Sequence, residues 1–327
     1  MALSFRRGGY PGPILLHRDD KATIPPCDRE KVPGLALIFP TLMEEDPMFL
    51  STPRNGISVE YFDAFTRQMK NDAVENSCVI VIPCYNEEKR LNTDAFIRFV
   101  ADNRNVDFIF VNDGSADHTG ELLERLGAQC PERIRVHHLA QNSGKAEAVR
   151  TGLRLAAAGP AALVGYWDAD LATPLDSIPE FVRIAHRFPD VEVVFGSRRR
   201  LLGHRVERSP FRRIVSRSCA LLARLAVGLP VGDTQCGAKL MRNTPHLHAA
   251  LESRFTAGWL FDVELFARIA KQSENCRAAF FEAPLWEWTE IAGSNVTPAA
   301  ILKSGAQMLR LIALRAHHGS LGAVTAR

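Results

Sequence analysis

The sequence predicts an α/β fold: a mostly parallel, doubly wound central sheet flanked by helices, in a single domain over residues 76–318. Two observations predict it. Short apolar runs rich in β-branched residues recur from residue 78 onward, as in strands that are buried on both faces. Each run is followed by a segment of helical length, and strands that alternate with helices at this spacing are typical of a parallel sheet.

The predicted elements follow one another closely between residues 78 and 167. In chain order they are a strand at 78–83, a helix at 87–103, a strand at 108–111, a helix at 119–126, a strand at 134–139, a helix at 145–158 and a strand at 162–167. Ser115 or Asp117 is the candidate N-cap of the helix at 119–126. In a sheet of this kind, ligands bind at the carboxyl ends of the strands.

The two ends of the chain differ from this domain. Residues 1–75 are rich in Pro and Gly, which predicts an irregular N-terminal extension with one helix near 59–69. Residues 299–318 predict an amphipathic helix, which either packs on the core or lies on an anionic membrane surface. Residues 319–327 are predicted to form a flexible tail.

Bulk composition narrows the class of protein. The net charge of +3 over 327 residues is too small to indicate a nucleic-acid partner. The seven cysteines include no Cys-x-x-Cys pair, and their odd number is typical of free thiols in a reducing compartment. Cys236 is interpreted as a packed small residue. No apolar run reaches transmembrane length, so we expect a cytoplasmic protein that is peripheral to a membrane at most.

Polar side chains follow three of the predicted strands, where ligands are expected. They are Asn86-Glu87, Asn112-Asp113 and Asp168-Ala-Asp170. Two carboxylates one residue apart at a strand end can converge on Mg²⁺ or Mn²⁺, with diphosphate oxygens and water completing the shell. The alternative is a solvated turn, which an Asp-x-Asp triplet alone does not exclude.

Eight short segments carry a family resemblance. The segments 83–88 (Pro-Cys-Tyr-Asn-Glu-Glu), 111–115 (Val-Asn-Asp-Gly-Ser), 142–145 (Asn-Ser-Gly-Lys) and 168–170 (Asp-Ala-Asp) resemble, in order and spacing, the family 2 glycosyltransferases, which have the GT-A fold. The segments 196–198 (Gly-Ser-Arg), 233–237 (Asp-Thr-Gln-Cys-Gly), 259–264 (Trp-Leu-Phe-Asp-Val-Glu) and 293–298 (Gly-Ser-Asn-Val-Thr-Pro) resemble the dolichyl-phosphate β-glucosyltransferase branch.

This resemblance covers residues 78–314. It implies an inverting, metal-dependent glycosyltransferase with a single catalytic domain. The implied donor is a sugar nucleotide carrying a hexose, UDP-glucose above all. The implied acceptor is a polyprenyl or dolichyl phosphate.

On the donor side, the resemblance implies a role for each residue that matches a motif. It places Pro83, Tyr85 and Glu87 around the nucleoside, Asp113 on the uracil or ribose, Gly114 in a tight turn beside the ligand, Lys145 near the nucleotide, Asp168 on the sugar of the nucleotide or on the donor glucose, and Asp170 on the metal as direct ligand and catalytic residue. Asp168 and Asp170 together are the implied metal ligands. The family usually has Gly-Lys-Gly where this chain has Gly144-Lys145-Ala146, which puts the local backbone geometry in question.

On the acceptor side, the resemblance implies that Asp262 is catalytic. It is the general base for an alcohol acceptor, whereas an ionised phosphate acceptor needs no base and leaves Asp262 to bind sugar hydroxyls. Glu264 lies two residues further along a predicted helix and so has a separate role. Trp259, Gln235 and Lys239 are further implied substrate contacts. The alternative for residues 259–264 is a solvated helix face.

Arginines are concentrated between residues 198 and 217, where the sequence has eight of them. Planar guanidinium groups suit bidentate phosphate binding. The resemblance places this stretch at the acceptor phosphate, with Arg198, also assigned a catalytic role, and Arg212 as the leading candidates. The alternative is a solvated basic loop. A nucleic-acid partner is disfavoured because Phe211 is the only aromatic residue interleaved with these charges.

Two alternative functions stay open. The first is the same transfer chemistry on a soluble alcohol or glycan, which the lack of a membrane span favours and the arginines oppose. The second is a non-catalytic protein that binds a sugar nucleotide. The presence of Asp168, Asp170 and Asp262 argues against this second alternative.

Overall fold

The computed structural model describes residues 77–199, 201–206, 223–273, 275–289 and residue 306. Its strands are β1 (Cys78–Cys84), β2 (Val106–Asn112), β3 (Ile134–His138), β4 (Leu163–Trp167), β5 (Val193–Ser197), β6 (Arg205–Val206), β7 (Ala238–Arg242), β8 (Phe280–Pro284) and β9 (Glu287–Trp288). Its helices are α1 (Thr93–Asp102), α2 (Thr119–Gln129), α3 (Lys145–Ala157), α4 (Ile178–Arg187), α5 (Pro245–Glu252) and α6 (Phe261–Ala270), with short 3₁₀ turns at Leu175–Ser177 and Gly258–Leu260.

The seven-stranded sheet has the order β3-β2-β1-β4-β7-β5-β8, and a separate ribbon pairs β6 with β9. The strands β1, β2, β3 and β4 are parallel to one another, and β5 is parallel to β8. Only β7 is antiparallel to its neighbours within this described sheet. The predicted mostly parallel sheet flanked by helices is therefore confirmed. Six strands end at the same edge of the sheet, which we call the carboxyl edge.

Burial of the sheet on both faces follows from its composition. Along β1, Ile80 and Ile82 pack into one hydrophobic core, whereas Val79 and Val81 pack into the core on the opposite face. In the first core, Phe96 of α1 meets Phe108 and Phe110 of β2 edge to face at 5.2 and 4.9 Å. With both faces covered, the carboxyl edge is where polar side chains can reach solvent.

One predicted helix begins later than its pattern indicated. The helix predicted at 87–103 starts at Thr93, because Asn92 is its N-cap and the Asn92 side chain accepts a hydrogen bond from the backbone N–H of Ala95. Before it, the chain turns, with the N–H groups of Arg90 and Leu91 donating to the carbonyl of Glu87. This turn holds Glu87 at the carboxyl edge instead of inside a helix.

The start of α2 is also different in detail. His118 is its N-cap and makes no capping bond, while Asp117 accepts from the N–H of Thr119 at 3.0 Å. Asp117 thus contributes to the helix start from one position outside the cap, and Ser115 does not cap it.

Several predictions lie outside the described residues. They are the extension at 1–75 with its helix, Arg212, the helix at 299–318 apart from residue 306, and the tail at 319–327. The domain limits at 76 and 318 therefore stay predictions. Within the described residues, no helix is both long and apolar enough to cross a membrane.

Candidate active site

A pocket of ≈ 280 Å³ opens at the carboxyl edge, where β1, β2 and β4 end. It is lined by Pro83, Cys84, Tyr85, Glu87, Asp113, Asn142, Gly144, Lys145, Ala148, Asp168, Ala169 and Asp170. Seven of the residues predicted on the donor side are among them. Segments separated by more than fifty residues in sequence thus converge because parallel strands end side by side.

Asp113 organises the loop that forms one wall of this pocket. Its carboxylate accepts the backbone N–H of Ser143 at 2.7 Å and that of Gly144 at 2.9 Å. Burial raises the pKa of Asp113, and these two hydrogen bonds act in the opposite direction. Asp113 therefore fixes the backbone at 143–144 beside the site, whatever ligand it also contacts.

Gly114 is required by the same loop. Its φ is +61°, a conformation that residues with a Cβ rarely adopt. A Cβ built there would overlap the backbone of Gln141 and Asn142. The tight turn predicted at this position is therefore present, with the adjacent loop packed directly on the glycine.

Glu87 is held from two sides. Its backbone N–H donates to Thr119 Oγ1 at 2.8 Å, and its carboxylate accepts from Arg90 at 2.7 and 3.0 Å. Burial raises the pKa of Glu87, Arg90 lowers it, and the nearby carboxylates of Asp170 and Asp168 raise it further. Glu87 therefore lies within electrostatic range of both predicted metal ligands.

Asp168 and Asp170 sit on the turn that follows β4. The Nζ atom of Lys145 lies 2.5 Å from Asp168 Oδ1, and Asp170 Oδ1 accepts the N–H of Ala172 at 3.1 Å. The carboxylate of Asp168 packs over Gly237, where any Cβ would overlap it. Gly237 is thus the residue of the segment 233–237 that makes room for Asp168.

The donor set at this turn suits a hard divalent cation. Burial and the charge of Asp168 raise the pKa of Asp170, as expected for two carboxylates held close together without a full set of counter-charges. Among the described residues, no group of three acidic, His or Cys side chains forms a complete cage. A pair of carboxylates with phosphate and water oxygens is a common arrangement for Mg²⁺.

Lys239, predicted as a contact on the acceptor side, is not among the residues that line the pocket described above. It is on β7 and has no exposed surface. Its Nζ atom donates to the carbonyl of Cys236 at 2.5 Å and lies 3.0 Å from Asp262 Oδ1. It also lies over the ring of Tyr166, 5.0 Å from the centroid. Lys239 is the register partner of Tyr166, near the carboxyl end of β4, and its side chain is buried there beneath the carboxyl edge.

Asp262 is fixed by this buried lysine and by a neighbouring tyrosine. The hydroxyl of Tyr166 donates to the same oxygen, Asp262 Oδ1, that Lys239 contacts. No described residue donates to Asp262 Oδ2. Tyr166 and Lys239 are partners in the register of β4 and β7, so Asp262 is tied to the strand that leads into Asp168.

Glu264, predicted as a substrate contact, is held by backbone and arginine donors in this structure. One carboxylate oxygen accepts the N–H groups of Thr256 and Ala257 at 2.8 Å each. The other accepts from Arg268 at 2.6 Å. Glu264 therefore closes the turn before α6. Its separation from Asp262 agrees with the predicted difference between the two acids.

Arg198, predicted to bind the acceptor phosphate, is paired with a carboxylate inside the protein. Its guanidinium donates to both carboxylate oxygens of Asp233 at 2.7 and 2.8 Å and lies over the ring of Trp288. Asp233 raises the pKa of Arg198 against the effect of burial, so the side chain stays charged. Two of the guanidinium donors with which this arginine could bind a phosphate are therefore already bonded to a carboxylate.

The remaining predicted residues make fewer polar contacts than those described above. Burial raises the pKa of the Cys236 thiol to about 11, which supports its interpretation as a packed residue. Trp259 is half-exposed before α6 and does not line the pocket. Gln235 has a buried Nε2 atom that makes no hydrogen bond within the part of the chain that the structure describes.

Some residues of the site were not singled out from the sequence. Thr119 anchors Glu87 and Tyr166 anchors Asp262. Neither has a local signal, because Thr119 begins a helix and Tyr166 lies inside an apolar strand. Asn142 and Gly144 are within a recognised segment, but no role was predicted for them.

Together, the sheet order and the carboxylate turn after β4 define a GT-A type glycosyltransferase fold. Solved structures support this class. Glucosyl-3-phosphoglycerate synthase from Mycobacterium tuberculosis, in complex with phosphoglyceric acid, has a TM-score of 0.56 at 18% identity, over 80% of this chain and 86% of that one. The same enzyme with Mn²⁺, UDP-glucose and phosphoglyceric acid has a TM-score of 0.55, with the same identity and coverage. At this identity the likeness shows the fold alone.

Sequence comparison then identifies the family. Residues 79–247 match the model described as glycosyl transferase family 2, and the chain belongs to that family. It is 33% identical to the dolichyl-phosphate β-glucosyltransferase of Drosophila melanogaster over 236 residues, which are 67% of this chain and 69% of that protein. It is 28% identical to the human protein of the same name over 280 residues, 78% of each chain. The predicted resemblance is confirmed, and the chain is a glycosyltransferase.

Proposed function

We propose that this chain transfers glucose from UDP-glucose to a polyprenyl phosphate of the dolichyl type, with Mg²⁺ or Mn²⁺ and with inversion at the anomeric carbon. The observation that carries the donor half is the convergence of Glu87, Asp113, Lys145, Asp168 and Asp170 on one pocket. The acceptor half is supported by the names of the relatives, which are dolichyl-phosphate β-glucosyltransferases.

In this proposal, the donor half binds the nucleotide diphosphate. Mg²⁺ or Mn²⁺ held by Asp168 and Asp170 would neutralise the charge that develops on the departing diphosphate. Lys145, whose ammonium group lies at Asp168, has donors that can turn to a phosphate oxygen. Asp113 keeps the 143–144 backbone in place, and Tyr85 offers an exposed ring beside the nucleoside.

The acceptor chemistry determines what Asp262 does. Its Oδ1 atom accepts from Tyr166 and is ion-paired with Lys239, which leaves Oδ2 for a substrate hydroxyl. A phosphate acceptor is already ionised at neutral pH and attacks without a base. For this acceptor, Asp262 orients a sugar hydroxyl and removes no proton.

The test is a transfer screen. Purified protein with Mn²⁺ receives UDP-glucose or GDP-mannose, each with and without a short polyprenyl phosphate, and nucleotide release is followed. We expect UDP release from UDP-glucose to rise sharply with the lipid phosphate and to yield a β-linked product by NMR. If UDP release did not depend on the lipid, the proposed acceptor would be wrong and a soluble acceptor would take its place. If only GDP were released, the donor would be GDP-mannose instead of UDP-glucose.

A further inference from the structure

A short series of hydrogen bonds joins the ends of β2 and β3. Asn112 and His138 are the last residues of these strands and are partners in their parallel register. Asn112 Nδ2 lies 3.0 Å from His138 Nδ1, and Asn112 Oδ1 accepts the backbone N–H of Ser115 at 3.1 Å. On the other side of the ring, His138 Nε2 lies 2.7 Å from Oε1 of Glu124 on α2. The side chain of Asn112 therefore connects the histidine to the turn at 112–115.

These contacts assign the proton of the histidine ring. The amide oxygen of Asn112 accepts from Ser115, so the amide NH₂ group faces His138. An NH₂ group donates and does not accept, so His138 Nδ1 must be the acceptor and carry no proton. The proton of the neutral ring is then on Nε2, from which it is donated to the carboxylate of Glu124. All these hydrogen bonds are made together only while the ring is neutral.

Protonation of His138 opposes this arrangement. An imidazolium ring has a proton on both nitrogens, so its Nδ1–H would face the NH₂ group of Asn112, donor against donor. If the amide turned over to accept from the ring, its NH₂ group would face the N–H of Ser115 instead. Helix α2 packs closely on this amide, since a Cβ built at Gly120 would lie 3.1 Å from Asn112 Nδ2. Protonation of the ring therefore removes the hydrogen bond between Asn112 and Ser115.

The charged groups around His138 are on α2. Glu124 favours the imidazolium, but its side chain is 64% exposed, so solvent screens the attraction. One turn earlier, Glu121 already contacts His118 at 3.4 Å and Arg125 at 4.0 Å. From β2, the residue in register with the histidine presents an uncharged amide. The ring thus has one carboxylate that favours its charge and one amide that opposes it.

The turn at 112–115 forms part of the pocket wall. Asp113 lines the pocket directly. Ser115 Oγ accepts the backbone N–H of Asn86 at 3.0 Å, and the residues on either side of Asn86, Tyr85 and Glu87, also line the pocket. A change in this turn is therefore transmitted to three of the residues predicted around the nucleoside.

We propose that neutral His138 is a positioning residue for the nucleotide end of the pocket. Its ring holds the amide of Asn112 and so the turn at 112–115, and protonation of the ring releases the turn and weakens nucleotide binding. The effect on the nucleotide rests on the proposed function, whereas the hold on the turn does not.

The experiment measures UDP binding by calorimetry, with Mn²⁺, at about pH 7.5 and about pH 5.5, on either side of the usual pKa of histidine. His138→Asn keeps an acceptor near the position of Nδ1 and does not titrate, whereas His138→Leu has no acceptor. At the higher pH, His138→Asn should bind UDP like the unmodified protein, and His138→Leu should bind it about three- to tenfold more weakly. At the lower pH, the unmodified protein should lose the same factor relative to His138→Asn.

The comparison with His138→Asn removes the titration of UDP and of the pocket carboxylates, which all variants share. His137→Asn is the matched control, because the neighbouring histidine of β3 points to the other face of the sheet and should not affect UDP binding at either pH. Equal UDP binding by His138→Leu and the unmodified protein at about pH 7.5 would overturn the proposal. So would an unchanged ratio between His138→Asn and the unmodified protein at the two pH values.

A second measurement requires neither a nucleotide nor a variant. NMR of the ring nitrogens should show the Nε2–H form of His138 at neutral pH, and the amide proton of Ser115 should exchange with solvent faster once the ring is protonated. An Nδ1–H form, or exchange at Ser115 that ignores the charge of the ring, would also overturn the proposal. If the exchange followed the ring but UDP did not bind, the hold on the turn would stand and the proposed donor would be wrong.

Discussion

The charged residues in the two halves of the carboxyl edge have different surroundings. In the donor half, at the ends of β1, β2 and β4, the acidic side chains predicted from motifs line one pocket. In the acceptor half, around β5, β7 and α6, each charged residue predicted from motifs is paired with an opposite charge. Lys239 pairs with Asp262, Arg198 with Asp233, and Glu264 with Arg268.

This difference indicates that the charged residues of the donor half serve substrate binding, whereas those of the acceptor half stabilise the fold. Burial raises the pKa values of Asp113 and Asp170, which is the signature of carboxylates that are partly desolvated without full compensation by positive charge. The pairs of the acceptor half already have their counter-charges. Substitution should therefore mainly reduce turnover in the donor half and mainly reduce stability in the acceptor half.

The largest effect on stability is expected from Lys239→Met. It removes the buried ammonium group and leaves the carboxylate of Asp262 without its counter-charge, which should lower the free energy of unfolding by about 3–5 kcal/mol. Urea titration followed by circular dichroism measures this. Lys271→Met, at the exposed end of α6, is the matched control and should have no effect. A fully stable Lys239→Met variant would show that the buried pair does not support the acceptor half.

The largest effect on turnover is expected from Asp170→Asn. Loss of the carboxylate should reduce kcat/KM for transfer about 100- to 1,000-fold, because the charge on the departing diphosphate is less well stabilised. The free energy of unfolding should stay the same or increase, since a buried charge is removed and the oxygen that accepts from Ala172 is kept. Steady-state UDP release measures the first quantity and urea titration the second.

Asp102→Asn, on the exposed last turn of α1, is the control for this variant and should change neither quantity. If Asp170→Asn turned over normally, the assignment of the metal to this turn would be wrong. If it unfolded, the donor half would be a structural region like the acceptor half, and the contrast between the two would disappear.

The contrast also explains what was predictable from sequence. Donor-half residues lie directly after apolar strands, so a parallel sheet is enough to bring Glu87, Asp113 and Asp168 together. In the acceptor half, Lys239 lies on β7, the antiparallel strand, which the strand–helix alternation did not predict. Its pairing with Asp262 depends on the packing of α6 against this strand, and no local pattern contains that information.

Glu147, the residue after the departure at Ala146, provides a third test. Glu147 accepts from Arg150 at 2.8 and 3.0 Å, and Arg150 also donates to the carbonyl of Leu251 at the end of α5. Glu147→Gln should therefore lower the free energy of unfolding at neutral pH by about 1.5–3 kcal/mol, because a charge-assisted hydrogen bond is lost. Urea titrations of both proteins across the acidic range measure this.

The effect should depend on pH in a defined direction. The hydrogen bond from Arg150 holds the pKa of Glu147 below its ordinary value of 4.5, so the folded protein binds this proton more weakly than the unfolded chain. The stabilisation is fully present above pH 4.5 and is lost as the pH falls through the lowered pKa. A difference between the variants that persisted below that pKa would show that Glu147 acts through packing and not through charge.

The smallest expected effect is that of Tyr85→Ala on UDP binding. This variant tests most directly whether the nucleotide is confined to the donor half. Tyr85 lines the pocket with a half-exposed ring, and the structure gives its hydroxyl no described hydrogen bond. Loss of stacking on the uracil should weaken UDP binding by about 0.5–1.5 kcal/mol, measured by calorimetry, while the free energy of unfolding stays unchanged. Trp259→Ala is the counterpart from the acceptor half, with a similarly exposed ring outside the pocket, and it should leave UDP binding unchanged. If Trp259→Ala weakened UDP binding as much as Tyr85→Ala, the nucleotide would extend over both halves of the edge, and the division between them would have to be redrawn.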